Sequence, residues 1–121
     1  MTEANNNYGR HSFDLEERTT KFAIEVILLC KSLPLKPYNL KPIGQVSGSA
    51  GSVGANYREA NDALGKRDFI HRLKISRKEA KETIHWLEIL KAANPEKDFS
   101  KVIQEATELR NILSTIISKS E

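Results

Sequence analysis

The sequence predicts an all-α fold, a single-domain up-and-down four-helix bundle. Apolar residues recur at steps of three and four over long stretches, and no segment alternates with a period of two. The breaks between stretches are short and marked by Pro, Gly or Asn-Pro, which favours antiparallel neighbours. The chain has 121 residues, a length that suits one domain. At this size roughly two-thirds of the unfolded surface is buried on folding, so the core needs no disulfide or metal. Hydrophobic residues make up 39% and charged residues 29%, an ordinary globular balance tilted towards helix by Lys, Glu, Leu, Ile and Ala.

Residues 1–12 are expected as a disordered or flexible tail, and residues 13–119 as the bundle. The first helix begins near Asp14, where Asp14 and Glu17 resemble a capping box. Leu15, Thr19, Phe22, Val26, Leu29 and Leu33 then share one face. Pro34 and Pro37 break it. The second segment, residues 42–64, starts with Pro42 as a first helical position. Its glycines, Gly44, Gly48, Gly51 and Gly54, each cost about 1 kcal/mol in a helix relative to Ala, so composition alone favours a loop before the helical residues 56–64. The third helix, residues 67–93, is the strongest, with Phe69, Leu73, Ser76, Ala80, Thr83, Leu87 and Leu90 on one face. The fourth, residues 98–118, carries Phe99, Val102, Ile103, Ala106, Leu109, Leu113, Ile116 and Ile117.

Two helices hold more apolar surface than one core needs. Ile24, Ile27 and Leu28 lie off the face of the first, and Ile75, Trp86 and Ile89 off the face of the third. Either the bundle buries an unusually wide face or these six residues form an oligomer interface. The interface is expected, because a small bundle has one interior.

Net charge is +3, and the excess is local: residues 66–91 hold eight basic and four acidic groups. Within them Arg67, His71, Lys74, Lys78, Lys81 and His85 follow steps of four and three, which puts them on one arc opposite the Leu73–Leu87 face. Such a row can track phosphates, so these six are the candidate nucleic-acid-binding residues. The competing reading is an ordinary solvated helix face. The row has no interleaved aromatics, so any binding should depend weakly on sequence.

The motif Gln45-Val46-x-x-Ser49-x-x-Ser52-Val53-x-Ala55-Asn56-x-x-Glu59-Ala60 is followed by Lys66-x-Asp68-Phe69-Ile70 and then Leu73-x-Ile75-Ser76-x-Lys78-Glu79-Ala80-x-Glu82-Thr83-x-x-Trp86-Leu87. With Asp14-Leu15, Arg18-Thr19 and Phe22-Ala23, the pattern resembles the small four-helix-bundle proteins encoded in intervening sequences of bacterial large-subunit ribosomal RNA genes, often labelled ribosomal-protein-like. The accessory variability protein of diversity-generating retroelements is a more distant relative. The resemblance covers about residues 13–118. It implies a helical bundle assembled as a homopentamer, and it makes the Gly/Ser/Ala segment helical, against the composition. Gly48 stands where the family commonly has Arg. The resemblance also implies a nucleic-acid-binding or accessory role, the partner being RNA, DNA or a protein such as a reverse transcriptase. Arg18, Asn56, Glu59, Glu79 and Glu82 form the polar signature of the pattern. Arg18 is expected to pair with one of the three carboxylates and fix helix register.

No enzymatic chemistry, cofactor or metal is expected. Glu82-x-x-His85 is half of a di-iron bundle motif, and neither His11 nor His71 has a Glu three residues before it. The Gly/Ser run lacks the ending of a phosphate loop, and no Gly-x-Ser-x-Gly elbow follows a strand. Cys30 on an apolar helix face reads as a buried structural thiol. Residues 26–30 are the longest apolar run, far short of the roughly 20 residues of a membrane span. The polar residues 1–11 lack the apolar segment of a signal peptide. A single cysteine fits a reducing compartment, so a cytoplasmic protein is expected.

Overall fold

The computed structural model describes residues 3–121, with side chains from Leu15 onward. The tail assigned to residues 1–12 falls on residues whose side chains lie outside those described. Four helices follow one another: α1 (Glu3–Lys31), α2 (Pro37–Asn61), α3 (Lys66–Ala93) and α4 (Ser100–Ser120). No strand occurs among the described residues. Each helix packs on the next and α4 returns to α1, leaving α1 and α3 diagonal. The α2–α3 contact is the most extensive and the α1–α4 seam the slightest.

The three periodic faces point inward. Leu15, Phe22 and Val26 of α1, Leu73, Leu87 and Leu90 of α3, and Leu109, Leu113 and Ile117 of α4 are all buried. They meet Val46, Ala50, Val53 and Tyr57 of α2.

α2 departs most from the expectation of composition. It is helical throughout, and it begins at Pro37, with Lys36 extended before it. Pro37 therefore takes the first helical position, where a missing N–H costs nothing. Pro42 lies inside the helix and is buried. It lacks the N–H that would bond the Tyr38 carbonyl one turn back. α2 ends at Asn61 rather than Leu64: the backbone leaves helical geometry at Asp62, and Leu64 projects fully into solvent.

Gly54 is the one glycine of α2 that the fold itself requires. A Cβ there would lie 2.7 Å from Thr19 Oγ1, so its absence lets α1 approach. A Cβ at Gly44, Gly48 or Gly51 would meet nothing within 4 Å.

Buried polar side chains pin the α2–α3 pair. Ser76 Oγ donates to the Val53 carbonyl at 2.6 Å, and the Thr83 and Ser49 hydroxyls are hydrogen-bonded at 2.9 Å. At the far end Asn39 and Asn94 exchange amide hydrogen bonds of 3.1 and 2.9 Å. Both are buried, and each also donates to a carbonyl, Pro34 and Leu90 respectively. No buried side-chain nitrogen or oxygen among the described residues lacks a partner.

α4 starts at Ser100, two residues later than expected. Asp98 sits just outside and accepts from the Ser100 N–H at 2.9 Å and its hydroxyl at 2.6 Å. These bonds lower the Asp98 pKa, and they satisfy one donor of the first turn.

Candidate nucleic-acid interface

α3 is rich in good helix formers and turns its apolar face to the core, so its opposite side is fixed towards solvent. Arg67, His71, Lys74, Lys78, Lys81 and His85 are all exposed there. The structure thus brings the six together on one face. Lys74 Nζ lies 3.4 Å from Glu121 Oε2. The other five form no ion pair among the described residues. Arg72, to one side, approaches Asp68 at 4.0 Å. His85 and Trp86 make an edge-to-face pair with centroids 5.0 Å apart.

The polar signature does not close into one network. Arg18 pairs across helices, but its partners are on α4. Nε donates to Glu105 Oε2 at 2.7 Å, and Nη2 donates to Glu105 Oε1 at 2.8 Å and Glu108 Oε1 at 3.0 Å. The expected partners Glu79 and Glu82 belong to α3, diagonal to α1. On the side of α1 that faces α2, Glu16 is the acceptor instead, holding Arg58 and Asn61 at 2.8 Å each. Glu59 stays exposed, and Asn56 turns back to the Ser52 carbonyl at 2.9 Å.

The bidentate Glu105 contact raises the already high Arg18 pKa and bridges the slight α1–α4 seam. Below it opens a polar cleft of about 460 Å³ lined by Lys21, Phe22, Glu25 and Lys101 among others. Glu105 and Glu108 are three residues apart, so they share a helix face. Their facing Arg18 was not legible without knowing that α4 returns to α1.

Glu79 is half-buried, and burial first, then the neighbouring Glu82, raises its carboxyl pKa. Cys30 is buried, and burial pushes its thiol up. Among the described residues no cluster of three or more His, Cys, Asp or Glu is placed to hold a metal. No helix among them is long and apolar enough to cross a membrane.

The six residues assigned to an interface stay at the surface to different degrees. Ile24 is 53% and Leu28 58% exposed, and Ile27 and Ile89 are exposed as well. Ile75 and Trp86 are half-buried. Leu35, Tyr38 and Leu40, which the periodicity did not single out, are also exposed. They surround the link between α1 and α2, at the end of the bundle where Asn39 meets Asn94. The basic row begins at the opposite end, beside the α2–α3 turn.

The family model for the 23S rRNA-intervening sequence protein matches residues 12–115. Among solved structures, a protein of unknown function from the S23 ribosomal protein family of Bacteroides thetaiotaomicron is similar, with 32% identity and a TM-score of 0.77. The similarity covers 85% of this chain and 97% of that one. No curated protein matches. A match over this much of the chain, with a four-helix neighbour at that identity, is decisive: the chain belongs to the 23S rRNA-intervening sequence protein family.

Proposed function

We propose that this is a non-enzymatic, cytoplasmic protein that self-associates through its surplus apolar surface, as a pentamer, and binds RNA or DNA through the basic face of α3. The observation that carries the reading is the row from Arg67 to His85, six exposed residues on one helix, of which Lys74 alone forms an ion pair, with Glu121, among the described residues. Repetition of the row in an assembly multiplies its attraction for a polyanion. Binding follows the phosphate backbone and is steeply salt-dependent. The test is binding of unrelated RNA and DNA by the wild type and by the Lys74→Glu, Lys78→Glu double variant. The reading expects the double variant to lose at least tenfold in affinity at low salt, and unchanged binding refutes it.

A second reading rests on Leu35, Tyr38 and Leu40. Their exposure beside the α1–α2 link favours a scaffold that recruits another protein, such as a reverse transcriptase, without touching nucleic acid. Protein capture that survives the double variant and high salt supports that reading.

A further inference from the structure

One end of the bundle presents apolar side chains that take no part in the core. Leu35, in the link between α1 and α2, is 82% exposed, and Tyr38 and Leu40, in the first turn of α2, are 55% and 54% exposed. The tip is nevertheless held from within. The Pro34 carbonyl accepts from the Lys36 N–H and from Asn39 Nδ2, both at 2.9 Å, and the buried Asn39 is clamped in turn by Asn94. The backbone that carries the three apolar side chains is therefore fixed, and their exposure is built into the fold. Lys31, Lys36 and Lys41 are interleaved with them, all exposed. None of the three is ion-paired among the described residues, and residues 26–57 contain no acid. The adjoining α3–α4 connection is charge-balanced, with Glu88, Glu96 and Asp98 against Lys91, Lys97 and Lys101, so the tip keeps its three positive charges.

We propose that this tip seats the protein on an anionic lipid bilayer. Leu35, Tyr38 and Leu40 enter the boundary between headgroups and acyl chains, and the three lysines meet lipid phosphates. Apolar side chains interleaved with cations match a bilayer, where hydrocarbon lies beneath a negative surface. Lysine stems lie along the apolar layer while their ammonium groups reach the phosphates. Tyr38 suits the headgroup level, its ring apolar and its hydroxyl wet. Nucleic acid offers the same charge but no apolar layer. No helix among the described residues is long and apolar enough to cross a membrane, so the attachment is to the surface. The basic row runs along the side of α3 and stays free, so this inference goes beyond the nucleic-acid reading and does not depend on it.

The test is co-sedimentation of full-length, nuclease-treated protein at physiological salt with vesicles of phosphatidylglycerol and phosphatidylcholine in equal parts, and with vesicles of phosphatidylcholine alone. The wild type should partition at least about tenfold more strongly to the anionic vesicles, from three lysines at the surface. Leu35→Ser with Leu40→Ser, and separately Lys36→Glu with Lys41→Glu, should each lower that partitioning at least about tenfold. These positions are exposed, and circular dichroism checks that the variants stay helical. Lys74→Glu with Lys78→Glu should leave it within about twofold of wild type, because Lys78 stands roughly 22 Å of helix rise from the tip end of α3, beyond the Debye length. A second measurement reports insertion itself. Leu35→Trp in a Trp86→Phe chain carries its one tryptophan at the tip, and its emission should shift to the blue on anionic vesicles and be quenched by brominated acyl chains. Absence of wild-type binding, unshifted emission on anionic vesicles, or binding lost in the α3 variant but kept in the tip variants overturns the proposal. Capture of a protein at the tip without vesicle binding makes it a protein-docking surface and overturns it likewise.

Discussion

α2 and α3 form the most intimate helix pair of the bundle, yet they are built on opposite principles. α3 is a strong helix in its own right, densely charged outside and lined inside by Leu73, Leu87 and Leu90. α2 is glycine-rich and nearly free of charge over its first five turns. It is held by its neighbours, through Val46 and Val53 in the core and through the Ser76 and Thr83 hydroxyls that reach it from α3. The difference teaches that helicity can be supplied locally or by tertiary contact. It also separates tasks: α3 projects charge, and α2 permits close approach.

Breaking the comparison at its core should have the largest effect. Leu87→Ala, at a fully buried site, should cost about 2–5 kcal/mol in a denaturant titration through lost packing and a residual cavity. On the α2 side, Gly54→Ala should cost about 1–3 kcal/mol, because its Cβ would be driven into Thr19 Oγ1. Gly48→Ala sharpens the contrast. The same chemical change in the same helix, at an open position, should stabilise an unassembled chain by up to about 1 kcal/mol. Lys74→Glu with Lys78→Glu should leave thermal unfolding within about 0.5 kcal/mol of wild type, as exposed positions do, while weakening nucleic-acid binding at least tenfold at low salt.

The smallest effect belongs to Glu79. Its carboxyl pKa is raised in the folded chain, so the fold binds the proton more tightly than the unfolded chain does. Stability therefore falls as pH rises through the carboxylate range. Glu79→Gln should give a slight gain at pH 7 that disappears at acidic pH. Thermal melts of an Ile24→Glu, Leu28→Glu chain at the two pH values would show it free of assembly.

The same contrast explains what the sequence made legible. α1, α3 and α4 announce themselves because the residues that bury are those that recur every three or four positions. α2 does not, because its propensity argues for a loop and its helix comes from packing that no local window contains. The family resemblance, not the composition, predicted it. Pro42 misled for a related reason: a proline suits a helix start, and only Pro37, five residues earlier, takes that place. The basic row was readable because exposure on an amphipathic helix follows from its period. The Arg18 partners were not. Which helix lies beside α1 is a matter of topology, and Glu105 is 87 residues away in sequence. The Asn39–Asn94 pair was hidden likewise, two ordinary loop-forming residues that turn out to seal one end of the core.

The central claim is that the α3 face binds nucleic acid by phosphate contact. The most direct measurement is the salt dependence of binding to a single-stranded RNA of arbitrary sequence. Each phosphate contact contributes about −0.7 to the slope of log K against log salt, so replacing Lys74 and Lys78 with glutamates should make the slope shallower by at least about 1.4. A wild-type slope near zero, or one that the double substitution leaves unchanged, would contradict the account.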